Sequence, residues 1–133
     1  MSGVDGRRIA LLSTSDTDLL SARASESYYL YANPAKARID SLADRLARCD
    51  LIILRVLGSP QTYADEVAIL RGLAKPLVVV GGEQLPDAAL MELSSVPIGV
   101  AADAHVYLAQ GGPQNLRELA GFLSDTVLLT GIG

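Results

Sequence analysis

The chain has 133 residues, a net charge of −4 and a single cysteine; this length suits one domain that buries its core without disulfides or metal. Half of its residues are apolar and its mean hydropathy is +0.30, so part of the surface is expected to be covered by a partner or by further chain. No basic patch interleaved with aromatics occurs (Arg7 and Arg8 are merely adjacent), which argues against a nucleic-acid partner.

Cys49 alone excludes an intrachain disulfide and points to a reducing compartment. Residues 1–8 lack the apolar core of a signal peptide. No apolar run approaches the roughly 20 residues that span a bilayer. A cytoplasmic protein without a membrane partner is expected.

The first apolar run is Ile9-Ala10-Leu11-Leu12. Two more follow, Leu51-Ile52-Ile53-Leu54 and Leu77-Val78-Val79-Val80. None alternates with polar residues, the habit of strands covered by helices on both faces of a parallel sheet. The glycines that follow the later two, Gly58 and Gly81-Gly82, favour strand over buried helix. A weaker run over residues 28–32 predicts an edge strand that Asn33-Pro34 ends, because proline cannot continue a ladder.

Helical signals fill the gaps. Ser15 with Asp18 three residues on imitates a capping box ahead of Leu19-Leu20. Ile39, Leu42 and Leu46 recur at three and four residues and predict an amphipathic helix over residues 35–49. Tyr63, Val67 and Leu70 predict another over 61–74, and Leu90 with Leu93 a short one after Pro86-Asp87. Residues 100–110 are alanine-rich and read as helix. Gly111-Gly112 breaks the chain, and Pro113 fits the first turn of a last helix whose apolar face is Leu116, Leu119, Ala120 and Leu123. Residues 127–133 read like an element caught mid-course, so Gly133 is expected to be a boundary within a longer chain.

This order, β-α-β-α-β-α-β and then helices, predicts a single α/β domain over residues 1–133. Right-handed crossovers give a three-layer sandwich of flavodoxin-like or Rossmann-like type, with about four parallel strands in the order 2-1-3-4. In such sheets ligands bind beyond the carboxyl ends of the strands, where the chain reverses direction. The candidate crevice is walled by Ser13, Thr14, Ser15 and Asp16, by the loop from Arg55 through Gly58 to Ser59, and by Gly81, Gly82, Glu83 and Gln84. The hydroxyl-rich first loop suits a phosphate, but Asp16 and Asp18 would repel one and no glycine-rich phosphate motif is present. An N-capping turn accounts for that loop more simply. Arg55 interrupts an apolar strand, so it either pairs with Asp16, Asp18 or Glu83 or contacts a ligand anion. Glu83 acts as acid or base only with a partner in hydrogen-bond reach. The lone His105 and Cys49 have no neighbours at metal or nucleophile spacing and read as structural.

Several segments, taken in order, resemble a known family: LSTSDTDLLSAR (12–23), ANPA (32–35), DLIILRVLG (50–58), VGGEQLPD (80–87), AQGGPQNL (109–116) and FLSDTVLLTG (122–131). Their order and spacing resemble the N-terminal region of the CobN-type large subunit of ATP-dependent cobaltochelatase, over residues 8–131. The Gly-Gly-x-x-Asn element from Gly111 to Asn115 is also similar to the related magnesium-chelatase large subunit. The resemblance implies a share in inserting cobalt into a corrin, hydrogenobyrinic acid a,c-diamide, on the aerobic route to cobalamin. It implies ATP-Mg hydrolysed on two separate AAA-type partner subunits. The family's large subunit is much longer than this chain. What the resemblance implies here is therefore a head domain that scaffolds or helps enclose the macrocycle, with no catalytic or metal-binding residue and no cofactor of its own. Its partners would be the remainder of the large subunit, the AAA-type ATPase subunits and the corrin substrate. The alternative is a stand-alone flavodoxin-like module binding a nucleotide, flavin or other small anion in the crevice. A response-regulator-like receiver fits less well, because Gly58 and Ser59 stand where its acceptor aspartate would be.

Overall fold

The computed structural model of the chain describes residues 7–129. The apolar runs form strands β1 (Ile9–Ser13), β2 (Leu30–Ala32), β3 (Leu51–Val56) and β4 (Leu77–Gly81). All pair in parallel, in the order β2-β1-β3-β4. Helices α1 (Asp16–Ser25), α2 (Ala43–Ala47), α3 (Ala64–Gly72), α4 (Ala88–Met91), α5 (Ile98–Gln110) and α6 (Pro113–Leu123) follow in turn. The predicted α/β sandwich and strand order are therefore those observed.

Alternation along the strands builds two cores. Ile9, Leu11, Leu51, Ile53, Val78 and Val80 face one way and pack with Ala22, Ala101, Ala104, Leu108, Leu116 and Leu119 from α1, α5 and α6. Ala10, Leu12, Ile52, Leu54, Leu77 and Val79 face the other way, onto Ile39, Leu46, Val67, Leu70 and Leu90. Each fully buried aliphatic side chain contributes about 1.5–3 kcal/mol. Burial on both faces is why the strands carry no polar alternation.

The outer edge of β4 is closed by side chains rather than by another strand. Ser95 Oγ accepts from the Leu77 amide at 2.8 Å. Ser94 Oγ accepts from the Val79 amide at 2.8 Å and donates back to the Val79 carbonyl at 3.3 Å. A pair of serines thus occupies backbone groups that an open edge would leave to a foreign strand.

Three predicted elements are shorter than their periodicity implied. The edge strand is only Leu30–Ala32. The helix expected over residues 35–49 is reduced to a 3-10 turn, Asp40–Leu42, and α2. Asn33 captures the amides that would have begun it: its Oδ1 accepts from Ala35 N at 2.8 Å, and its carbonyl accepts from Lys36 N and Ala37 N. Downstream, Ser41 Oγ donates to the Arg38 carbonyl at 2.6 Å, and the Arg38 guanidinium bonds Asp40, holding that carboxyl below its usual range. Such local side-chain bonds compete with helix. The helix expected over 61–74 begins only at Ala64, because Ser59 and Thr62 bond each other and each other's amides in a preceding turn.

The later helices start where their caps predict. Asp87 accepts from the Leu90 amide at 3.1 Å ahead of α4, and Pro113 occupies the first turn of α6. Gly111 and Gly112 have φ of +72° and +92°, which the tight α5–α6 connection requires. Asn115 Nδ2 donates to the Gly111 carbonyl at 2.6 Å, so the Gly-Gly-x-x-Asn element is a joint between two helices. Beyond α6 the helix widens into a π turn, Ser124–Leu128. Of the element expected over residues 127–133, positions 130–133 lie outside the described residues.

Candidate functional site at the carboxyl ends of the strands

Ser13 and Arg55 stand opposite each other in the β1–β3 register. Both continue the face that carries Leu11 and Ile53, so both point toward α1, α5 and α6. Both are buried, as is Asp18 on the first turn of α1. Arg55 Nη1 donates to Asp18 Oδ1 and Oδ2 at 3.1 and 3.0 Å, and to the Leu108 carbonyl at 3.1 Å. Its Nε donates to the Gly81 carbonyl at 3.0 Å and its Nη2 to the Gly82 carbonyl at 3.3 Å. One guanidinium thereby ties β3 to α1, to the end of β4 and to the end of α5. Of the possible partners for Arg55, Asp18 is the one the fold supplies.

Ser13 completes the node. Its hydroxyl donates to Asp18 Oδ2 at 2.8 Å and accepts from Ser15 N at 3.0 Å. Ser15 caps α1, its Oγ accepting from Asp18 N at 3.3 Å. The capping box expected from Ser15 and Asp18 is thus half direct and half relayed. Asp18 reaches the cap amide only through the Ser13 hydroxyl, because its carboxylate is turned inward to the arginine.

The remaining crevice residues meet around this node. Thr14 N donates to the Arg55 carbonyl at 3.1 Å, and Thr14 Oγ1 accepts from Leu57 N at 3.1 Å, so the first two loops are laced together. Asp16 is exposed; it takes Lys36 Nζ at 3.3 Å and Asn33 Nδ2 at 3.5 Å. Gly58, exposed at the tip of the second loop, has φ of +145°. Gly81 and Gly82 do not have positive φ; they serve close approach instead. A Cβ on Gly82 would lie 2.9 Å from Leu57 Cγ, and one on Gly81 3.1 Å from Asp87 Cβ. Glu83 presents its side chain to solvent while its carbonyl meets His105 Nε2 at 2.9 Å. Gln84 Nε2 donates to the Ala109 carbonyl at 3.1 Å, binding the same loop to α5.

All nine crevice candidates (Ser13, Thr14, Ser15, Asp16, Arg55, Gly58, Gly81, Gly82 and Glu83) therefore gather at one end of the sheet. Asp18, expected from the sequence in a capping box and as one possible arginine partner but not as a crevice residue, is the carboxylate at its centre. Its spacing from Ser15 was the available signal, but a cap explained that spacing without burial.

Burial shifts two titrating groups outside the crevice. Burial pushes the Tyr28 phenol well above its ordinary range, with the Asp18 charge adding to the effect, and its hydroxyl donates to the Leu116 carbonyl at 2.8 Å. Burial, then the neighbouring Asp50 charge, push the Cys49 thiol up to about 11. Among the described residues no three His, Cys, Asp or Glu side chains converge as metal ligands, and no helix is long and apolar enough to cross a membrane.

No protein-family model and no curated protein matches this chain. A solved structure does: the catalytic subunit of cobaltochelatase from Mycobacterium tuberculosis, with a TM-score of 0.89 and 46% sequence identity over 96% of this chain. The chain is similar to a segment of that subunit. It spans 11% of the subunit's length. At this identity the likeness extends beyond the fold to the residues.

Proposed function

We propose that this chain is a segment of a cobaltochelatase large subunit, the N-terminal domain of the CobN type, and that it scaffolds or helps enclose the macrocycle without chemistry of its own. The observation that carries the reading is the 46% identity, at a TM-score of 0.89, to part of a cobaltochelatase catalytic subunit. In this reading the remainder of the subunit inserts cobalt into hydrogenobyrinic acid a,c-diamide. AAA-type partner subunits hydrolyse ATP-Mg, and the assembly works in the cytoplasm. The chain's own polar groups fit a mechanical part: Arg55, Asp18 and Ser13 bond one another, Thr14 accepts from Leu57 N and Arg55 donates to the Gly82 carbonyl, which together fix three loops at one end of the sheet.

The test begins in the source cells. Antibodies raised to the 133-residue chain are expected to detect a polypeptide several-fold larger than 14.0 kDa. That polypeptide should co-purify with ATP-dependent cobalt insertion into the corrin. Detection only at 14.0 kDa, apart from that activity, would refute the reading. Removing this segment from the full-length subunit should abolish cobalt insertion while the partner subunits still hydrolyse ATP.

A further inference from the structure

At the opposite end of the sheet lies an open groove of about 500 Å³, lined by residues from three separate stretches of chain. Its volume falls within the roughly 300–1,000 Å³ of small-molecule sites. Arg7 and Arg8 enter from the lead into β1, Tyr29 from the lead into β2, and Arg117 from α6. Ala120, Gly121 and Ser124 contribute small side chains from α6 and the turn beyond it.

The charge of this groove runs against that of the molecule. The chain carries 11 basic and 15 acidic residues, yet the groove is lined by three arginines and one carboxylate, Glu26. Among the described residues none of the three arginines forms an ion pair. Arg8 lies over the Tyr29 ring, 5.1 Å from its centroid, a cation–π contact. The nearby Asp50 is spent on the Arg8 backbone amide at 2.7 Å. Arg117 has only the Gln114 amide oxygen, at 3.0 Å.

Helix capping does not account for these arginines. The last turn of α1 is closed by its own residues: Ser25 Oγ donates to the Ala22 carbonyl and Ser27 Oγ to the Ser25 carbonyl. The α6 carbonyls of Ala120 and Gly121 accept from the Ser124 amide, because the helix continues past the groove. Forked guanidiniums without a carboxylate partner among the described residues suit paired oxygens, as in carboxylate and phosphate.

We propose that this groove binds a small organic polyanion. Its oxyanion groups, carboxylate or phosphate, are held by Arg7, Arg8 and Arg117, and its body lies beside Tyr29 over Ala120 and Gly121. The inference rests on the groove and does not depend on the chelatase reading.

The test is an NMR titration of the isotope-labelled 133-residue chain with citrate and, separately, pyrophosphate, ionic strength being held constant with sodium chloride. Saturating shifts are expected at the amides of residues 27–29 and 117–124. A preference for citrate assigns a carboxylate ligand, and one for pyrophosphate a phosphate. Losing a charge-assisted contact costs about tenfold or more in affinity, so Arg117→Glu should weaken binding by that factor. Gly121→Leu, whose new Cβ meets open space, should block the groove with no change of charge and no strain on the helix. Arg71→Glu, outside the groove, should leave the half-saturation point in place. Shifts that do not saturate, or equal loss with Arg71→Glu, would overturn the proposal, as would unchanged binding by Arg117→Glu and Gly121→Leu.

Discussion

Arg55→Met is the sharpest perturbation of this fold. It removes a guanidinium that satisfies one carboxylate and three carbonyls, all at an end of the sheet where Ser13, Asp18 and Arg55 itself are buried. Asp18 then keeps only the Ser13 hydroxyl and its own helix start as compensation. Breaking a buried pair by removing one partner typically costs about 3–5 kcal/mol. For a domain of this size that lowers the thermal midpoint by roughly 10–15 °C. The pair should also be strongly coupled: Asp18→Asn with Arg55→Met should cost less than the two single changes summed, by about 1–3 kcal/mol.

Urea unfolding followed by circular dichroism, on the four proteins of the cycle, measures both the single costs and the coupling. A single-variant cost below about 1 kcal/mol, or additive singles, would refute a load-carrying role for the pair.

Three further outcomes are expected. The Cys49 thiol, held up to about 11 by burial and Asp50, ionises in the unfolded chain before it does so in the folded one. Stability should fall as pH rises from the ordinary thiol range toward 11, and Cys49→Ala should flatten that part of the profile in thermal unfolding. Ser94→Ala strips the Val79 amide and carbonyl of their partner and should cost about 1–3 kcal/mol; retention of wild-type stability would show that water replaces the hydroxyl. Gly82→Ala drives a Cβ to 2.9 Å from Leu57 Cγ and should cost about 1–3 kcal/mol by overpacking, most of it recovered in Gly82→Ala with Leu57→Ala; a loss untouched by the second change would place the strain in the backbone.

The sequence by itself determined the layers of this protein. Short apolar runs such as residues 51–54 and 77–80, each followed by glycine, favoured a sheet covered on both faces over buried helix, and the punctuation at Asp87, Gly111-Gly112 and Pro113 placed the later helices because those signals act within a few residues. It also gathered the crevice candidates, because each polar loop follows its strand directly. The tertiary structure decided what the polar groups do. The start of the predicted helix after Pro34 was lost to Asn33, whose side chain competes locally with helical hydrogen bonding. Arg55 found Asp18 rather than Asp16 or Glu83 because only Asp18 sits on the first turn of α1 facing the same side of the sheet. The arginine groove was invisible in the chain, since Arg7 and Arg8 are 110 and 109 residues from Arg117 and only the return of α6 along α1 makes them neighbours. Periodicity records which side is buried; partners across long loops depend on how the layers close.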